Sequence, residues 1–324
     1  MSETLDCEVL VIGSGPGGAT TALMLAQAGH DVVMVEEGGH FSIDSAPSYS
    51  IEEMDQKYRN GGLNSTFGKT NVTYLEGRCV GGGSEINAAL YHRPKVSTVE
   101  GWAERYAIQD FDLDELWTHF EWVEGQMSVS RWPQGVGPAS QRIKKGADAM
   151  GWSSQEVTRF WKYSSKKDRK GRRQSMTETL VPRAVDAGTR LHPHTKVERL
   201  VLRRGMTVAA DATRTDESGR KHPVRIRFQT VFVCGGAVQT ALLLRRSGIR
   251  DRVGDSLCMH PMLRIAARFP DAFNDPGWGV PVQQIDQFKP EVTLGCSHSS
   301  LPHIALWLTG EGVDKKALLA EWDK

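Results

Sequence analysis

The stretch CEVLVIGSGPGG, residues 7–18, decides the fold. Its first half, Cys7 to Ile12, is apolar except for Glu8, which predicts a strand buried on both faces of a parallel sheet. Three glycines follow in GxGxxG spacing, and the small residues of Ala19 to Ala28 predict a helix behind them. The sequence therefore predicts a strand that turns directly into a helix through a glycine-rich loop.

The next strand, Asp31 to Glu36, ends on an acidic residue. In a βαβ unit of this kind Gly13 makes the turn, Gly15 lets the backbone approach a pyrophosphate, and Gly18 lets the helix pack closely against the strand. Glu36 is then placed to accept hydrogen bonds from an adenosine ribose. Strand, glycines, helix, strand and acid occur in order, so we predict a dinucleotide site rather than a purely structural turn.

Two later segments favour FAD over NAD. An irregular polar stretch, residues 38–73, follows the acid where a pyridine-nucleotide domain would continue with a further strand and helix. A second glycine cluster then appears in Gly77-Arg78-Cys79-Val80-Gly81-Gly82-Gly83-Ser84-Glu85-Ile86-Asn87. Successive glycines clear space beside a backbone, and Ser84 and Asn87 offer hydrogen bonds. We interpret this cluster as a second wall of the flavin site.

Composition excludes several function classes. The 324 residues carry 40 Lys and Arg against 39 Asp and Glu, a net charge of +1, which predicts no nucleic-acid partner. Five scattered cysteines without CxxC spacing argue against a disulfide framework or a metal site. No signal peptide is recognisable, and no apolar run reaches the ~18 residues that span a bilayer. We therefore expect a cytoplasmic protein without a membrane span.

Four segments form one pattern: the Gly13 turn, Val35 to Gly39, Gly77 to Asn87, and Val231 to Ala237. Together they resemble the glucose–methanol–choline (GMC) oxidoreductases, and within that family Val80 to Ser84 is similar to the long-chain-alcohol and polyol branch. The resemblance covers essentially the whole chain. The last segment continues in similar fashion to Leu244, with one modest departure, because Ala241 stands where the family normally has proline.

The resemblance implies a set of FAD contacts. They are Gly13, Gly15, Gly18, Glu36, Arg78, Val80, Gly82, Gly83, Ser84, Asn87, Ala88, Val197, Cys234, Gly235 and Ala237. Some family members bind FAD covalently through a histidine just before the position of Asn87. Ile86 occupies that place here, so the resemblance implies noncovalent FAD.

The fold class that follows is α/β. We expect a Rossmann-like FAD-binding domain with a parallel sheet and a β-meander, at residues 1–95 and 186–260, because the flavin motifs flank a tryptophan-rich insert. The remainder, residues 96–185 and 261–324, is expected to form a partial substrate domain of mixed strands and helices.

The family's general base is a histidine that lies beyond the part of the pattern present here. By residue type the substitutes are His92, His260, His298 and His303, but none stands at the family's catalytic position. We therefore assign no catalytic residue and no metal ligand in this chain.

Three hypotheses remain open. The first is the FAD-binding subunit of a split enzyme that oxidises a small-molecule alcohol by hydride transfer to flavin N5, with the catalytic histidine supplied by a complementing chain. The second is a noncatalytic GMC-derived binding or scaffold protein, and the third is a self-sufficient flavoenzyme with a rebuilt site. The first expects an unpaired apolar surface, which the sequence places at Leu301–Leu308.

Overall fold

The computed structural model describes residues 3–69, 71–109, 111–168, 170–263, 265, 269–271 and 280–296. Its contacts divide the chain into two compact units. The first is Met1–Asn87 with Ser175–Ala266, and the second is Ala88–Gln174 with Ala267–Lys324. The boundaries thus fall at 87 and 175, where the sequence predicted 95 and 186. The predicted segment Leu301–Leu308 lies outside the described residues.

The strands, in chain order, are β1 (Glu3–Asp6), β2 (Val9–Ile12), β3 (Val32–Val35), β4 (Asn64–Ser65), β5 (Thr73–Tyr74), β6 (Leu90–Tyr91), β7 (Val129–Ser130), β8 (Ser154–Glu156), β9 (Thr158–Lys162), β10 (Arg172–Arg173), β11 (Arg190–His192), β12 (Thr195–Arg203), β13 (Met206–Thr215), β14 (Lys221–Arg227), β15 (Thr230–Val233), β16 (Gln283–Ile285) and β17 (Leu294–Gly295). The helices are α1 (Pro16–Gln27), α2 (Ile51–Lys57), α3 (Val96–Tyr106), α4 (Leu113–Gln126), α5 (Pro138–Ala149), α6 (Leu180–Asp186) and α7 (Gly236–Arg246), with 3₁₀ turns at Arg59–Gly62 and Gly82–Glu85.

A parallel sheet in the order β11-β3-β2-β15 forms the centre of the first unit. Every residue of β2 and β3 is buried, as their unbroken apolar sequences predict. Helix α1 connects these two strands and buries its small residues Ala19, Ala22 and Ala26. It begins at Pro16 rather than at Ala19, because proline is well suited to the first helical position.

A β-meander of β12, β13 and β14 packs on the parallel sheet, with β1 added parallel to β14. Their shared core joins Leu10 and Val33 of the parallel sheet to Val197, Ala210 and Ile226 of the meander. The predicted α/β organisation of parallel sheet and meander is therefore present within the first unit.

The second unit contains α3, α4 and α5 with short antiparallel strands. Strands β10, β9 and β6 are paired in that order, β7 also pairs with β9, and β16 lies between β17 and β8. Arg159 of β9 is buried, and its guanidinium lies 4.3 Å from the ring centroid of Trp132 and 4.8 Å from that of Trp161. Trp132 and Trp161 of the insert thus pack around this arginine, as their residue type predicts, whereas Trp102 is 49% exposed.

Among the described residues, none of the helices combines the length and apolar character needed to cross a bilayer.

Candidate FAD-binding site

The turn after β2 is held by close backbone packing. Gly13 has a φ of +98°, and a β-carbon on it would lie 2.4 Å from the carbonyl oxygen of Cys234. A β-carbon on Gly18 would lie 1.8 Å from the carbonyl oxygen of Gly13. Both positions therefore exclude any side chain, because backbone rather than a flexible side chain occupies the space.

Gly15 is different, because the protein leaves room beside it. A β-carbon there would meet Gly82 Cα at 3.9 Å, an ordinary contact distance. Gly15 is also the N-cap of α1, whose first turn holds Pro16 and no acidic residue. No acidic residue within this first turn compensates the positive end of the helix, which suits a pyrophosphate. The lack of a side chain at Gly15 therefore makes room for a ligand rather than for another part of the protein.

The second glycine cluster lies against this turn. Gly81 and Gly82 have φ of +91° and +55°, and a β-carbon on Gly82 would lie 3.0 Å from Gly15 Cα. Two glycine turns that the sequence assigned to one cofactor are therefore side by side at the same helix end. Because the glycines of the two turns carry no side chains, the turns together form an open cradle that fits an extended dinucleotide.

Ser14 connects the two turns to the acid at the end of β3. Its hydroxyl donates to Glu36 Oε2 at 2.8 Å and accepts from the backbone N–H of Gly81 at 3.2 Å. The backbone N–H of Ser14 donates to the same Oε2 at 3.1 Å, and that of Gly38 donates to Oε1 at 3.0 Å. This role is not predictable from the sequence, because a serine between two glycines indicates only a turn.

Glu36 is 8% exposed. Burial raises the pKa of its carboxyl group, while the hydrogen bonds from Gly38 and Ser14 act in the opposite direction. The side chain is held in one orientation beside the glycine turns, where an acceptor for ribose hydroxyls is expected.

The neighbouring strand β15 ends at the same edge of the sheet as β2. The N–H of Cys234 donates to the carbonyl of Ile12 at 2.7 Å, so the two strand ends are in direct contact. Gly235 is the N-cap of α7, and Ala237 in its first turn is exposed. Two helices therefore begin at adjacent carboxyl ends of parallel strands, where α/β proteins bind their ligands.

The remaining predicted residues of the glycine cluster differ in their exposure. Val80 is fully buried, and its N–H donates to the carbonyl of Gly39 at 2.9 Å. Arg78 is half exposed and pairs with Glu37 at 3.2 Å. Gly83 is exposed, with nothing within 4 Å of a β-carbon built on it.

Three further predicted residues lie at the margins of the site. Asn87 is exposed and ends the first unit, whereas Ala88 belongs to the second. The side chain of Val197 is buried in the core, so that only its backbone is available to a ligand. A register shift between Val197 and Arg199 interrupts the ladder there.

Ser84 and Glu85 are buried inside the glycine cluster. The Ser84 hydroxyl donates to the carbonyl of Gly81 at 2.8 Å and accepts from the N–H of Met176 at 3.0 Å. Its side chain thus shapes the turn. Glu85, which sequence reasoning missed, accepts hydrogen bonds from Ser175 and Thr177. An acid directly after Ser84 in a glycine cluster was the available signal, but its partners are distant in sequence.

A cavity of about 240 Å³ lies beside the acidic end of β3 in the first unit. Its lining is charged and polar: Glu37, Arg78, His194, Lys196, Glu198, Thr213, Thr215 and Lys221. Of the predicted site it contains Arg78 alone, and it does not include the glycine turns.

Of the four candidate histidines, the structure describes His92 and His260. His92 belongs to the second unit, and burial lowers the pKa of its imidazole. His260 is exposed, and His298 and His303 lie outside the described residues.

Comparison with known proteins decides the family. Residues 54–262 match the GMC oxidoreductase family model, and residues 8–50 match an FAD binding domain. The chain belongs to the GMC oxidoreductase family. FAD is accordingly its cofactor, and the cradle formed by the two glycine turns fits that group.

Curated relatives agree with this membership. A GMC-type oxidoreductase of Sinorhizobium fredii is 34% identical over 98% of this chain and 64% of its own length. A long-chain-alcohol oxidase of Arabidopsis thaliana is 29% identical over 82% of this chain and 38% of its own length. The chain thus spans less than two thirds of the length of these relatives.

The α/β flavoprotein fold predicted from the sequence is confirmed by a solved structure. Pyridoxine 4-oxidase from Mesorbium loti superposes with a TM-score of 0.59 at 18% identity, over 75% of this chain and 52% of that one.

Proposed function

We propose that this GMC chain is the FAD-binding subunit of an enzyme that oxidises a small-molecule alcohol. The observation that carries the proposal is the contact between Gly15 and Gly82 at the start of α1, with the carboxylate of Glu36 beside them. The bound flavin would supply the acceptor for the hydride that leaves the alcohol carbon. Similarity to a long-chain-alcohol oxidase supports the alcohol substrate class.

The chain's own residues have distinct roles in this proposal. The first turn of α1 binds the pyrophosphate through backbone N–H groups, and Gly15 and Gly82 leave room for it. Glu36 accepts hydrogen bonds from the adenosine ribose, and the Val197 backbone meets the adenine. Ile86, an apolar residue, offers no attachment point at that position, which supports noncovalent FAD.

We further propose that the general-base histidine comes from a complementing chain. Within the described part of the chain, β15 pairs with β2 alone and leaves its other edge open. Phe232 on this strand is 39% exposed and Leu242 on α7 is 45% exposed. An open strand edge and exposed apolar side chains are both suited to contact with another polypeptide. The cysteines are scattered along the chain and odd in number, which supports a reducing, cytoplasmic setting for this assembly.

The first experiment is a flavin spectrum of the purified chain, expressed alone and co-expressed with a chain that resembles the remaining part of the GMC family. We expect co-expression to raise bound flavin, and heat denaturation to release all of it into solution because the link is noncovalent. A chain that carries no flavin under either condition would contradict the proposal and favour a noncatalytic relic.

The second experiment is anaerobic bleaching of the flavin absorbance by polyols, sugars, sterols and long-chain alcohols. The proposal expects bleaching only when the complementing chain is present. Bleaching by the single chain would instead identify a self-sufficient enzyme with a rebuilt site.

A further inference from the structure

Glu85 is a buried acid that the FAD contacts described above do not use. It is 3% exposed and forms the last residue of the 3₁₀ turn Gly82–Glu85. Its Oε2 accepts from the Ser175 hydroxyl at 3.0 Å. Its Oε1 accepts from the Thr177 backbone N–H at 3.2 Å and from the Thr177 hydroxyl at 2.8 Å. A buried carboxylate that accepts several hydrogen bonds holds its donor groups in place. The loss of any one donor would leave part of the carboxylate's charge without a hydrogen bond.

These contacts join two distant parts of the first unit. The chain leaves this unit after Asn87 and returns at Ser175. Glu85 therefore connects the segment that leaves the first unit to the segment that returns to it. The hydrogen bond from the Met176 N–H to the Ser84 hydroxyl links the same two segments.

The carboxylate also lies directly against the glycine turn. A β-carbon on Gly81 would be 2.2 Å from Glu85 Oε1, so the turn and the carboxylate are in close contact. Gly81 in turn donates its N–H to Ser14, whose hydroxyl donates to Glu36. One continuous set of contacts thus runs from Thr177 through Glu85 and Gly81 to the ribose-binding acid.

We propose that Glu85 is a positioning residue for FAD. Anchored by Ser175 and Thr177, it holds the Gly81–Gly83 turn against the α1 turn in the shape that accepts the cofactor. FAD then binds without first ordering this loop, which lowers the cost of association. The proposal rests on FAD binding by this chain as proposed above, and it assigns no chemical step to Glu85.

The test measures FAD affinity and loop mobility in full-length variants. Glu85→Ala should weaken FAD binding at least about tenfold, because several charge-assisted hydrogen bonds are lost together. Glu85→Gln keeps one acceptor oxygen and should restore most of the affinity. The control is Ser247→Ala, since Ser247 ties α7 to β12 by accepting from Leu200 N–H at 2.8 Å. It should lower thermal stability while leaving FAD affinity within about twofold of the wild type.

A double-mutant cycle distinguishes positioning from general stabilisation. If Glu85 acts through its two partners, adding Ser175→Ala and Thr177→Val to Glu85→Ala should weaken FAD binding no further. Additive losses would overturn the proposal. So would equal losses of affinity in Glu85→Ala and Ser247→Ala.

Hydrogen exchange of the FAD-free chain gives an independent reading. Glu85→Ala should speed exchange in residues 77–87, whereas Ser247→Ala should not. Unchanged exchange in residues 77–87 would overturn the positioning role, whether or not the wild type binds FAD. Failure of the wild type to bind FAD would count separately, against the proposed function. If Glu85→Ala does not fold, Ser175→Ala and Thr177→Val take its place, because each removes a hydroxyl donor to Glu85, and both are expected to speed exchange in the same segment.

Discussion

A β-carbon on Gly82 would lie 3.0 Å from the Cα of Gly15. This contact brings the turn after β2 and the later glycine cluster together at the N-terminus of α1. Neither turn would enclose a cofactor alone, because each leaves one side open and the other turn lies on that side. We therefore expect FAD binding to depend on both segments, whose roles can be separated by substitution.

Gly15→Ala should impair FAD binding without unfolding the protein. The new methyl group meets only Gly82 Cα at 3.9 Å within the protein, but it occupies the space proposed for the pyrophosphate. We expect FAD affinity to fall about tenfold or more, equivalent to ~1.4 kcal/mol or more. Titration of the full chain with FAD measures the loss.

Gly146→Ala is a control for this substitution. It lies within α5 with nothing within 4 Å of its β-carbon, so it should raise stability by ~0.5–1 kcal/mol and leave FAD affinity unchanged. Normal FAD binding by Gly15→Ala would show that the pyrophosphate does not approach this turn.

Gly13→Ala should destabilise the fold itself. Its β-carbon would lie 2.4 Å from the Cys234 carbonyl oxygen, and its φ of +98° is strained for alanine. We expect a loss of more than about 3 kcal/mol in the free energy of unfolding, measured with urea. Gly29→Ala isolates the clash, because Gly29 has a similar φ of +90° but open space around it. That variant should lose only ~1–2 kcal/mol, and equal losses in the two would mean that Cys234 yields to the added methyl group.

Local pattern predicted much of this fold. The apolar runs of β2 and β3 and the three glycines of the first turn carry their signal within a few residues, so strand, turn and helix follow from the sequence. Helix α1 begins three residues before the predicted start, because proline is well suited to the first helical turn.

The contacts that shape the site were not predictable in this way. Ser14 meets Gly81, and Glu85 meets Ser175 and Thr177, only after the chain has folded. Hydrogen bonds between distant segments leave no periodic pattern in a single sequence. The chain returns to the first unit at Ser175, ahead of α6, and the Ser175 hydroxyl donates to Glu85 there, a contact that no local pattern predicts.

Ser14→Ala should weaken both the fold and the cofactor site. It leaves the Gly81 N–H without its acceptor and removes one of the donors to Glu36. We expect a loss of ~1–3 kcal/mol in unfolding free energy, together with weaker FAD binding. Thr189→Val is a matched control, because its buried hydroxyl donates to Ala22 on the other side of α1. It should cost comparable stability with FAD affinity preserved, and parallel losses of affinity would argue against the bridging role of Ser14.

Glu36 should give FAD binding a pH dependence of defined sign. Burial raises the pKa of its carboxyl group above the usual 4.5, so protonation begins at a higher pH than for an exposed glutamate. FAD affinity should therefore fall as the pH drops through this raised pKa, since the protonated group is a weaker acceptor for the ribose. Glu36→Gln should bind FAD more weakly and show no such dependence.

The FAD-free protein should respond to pH in the opposite direction. Because the folded state holds the Glu36 proton to a higher pH than the unfolded state, the contribution of Glu36 to stability is full below the unfolded pKa. It is lost as the pH rises through the folded pKa. Thermal unfolding of the wild type and Glu36→Gln across this range measures the difference, and identical slopes would contradict a raised pKa.

Phe232→Lys should block assembly with the proposed complementing chain. Phe232 lies on β15, whose described pairing is with β2 alone, and its side chain is already partly exposed, so a lysine there can reach water without disturbing the core. An incoming strand that covered this position would have to bury the new charge, which is costly without a partner. We expect co-purification with the complementing chain to fall at least about tenfold.

Met206→Lys on β13 is the control, because Met206 is an equally apolar and more exposed residue on the meander. Retained assembly in Met206→Lys and loss in Phe232→Lys would locate the interface at β15. Undiminished assembly in both would place the partner on another surface of the chain.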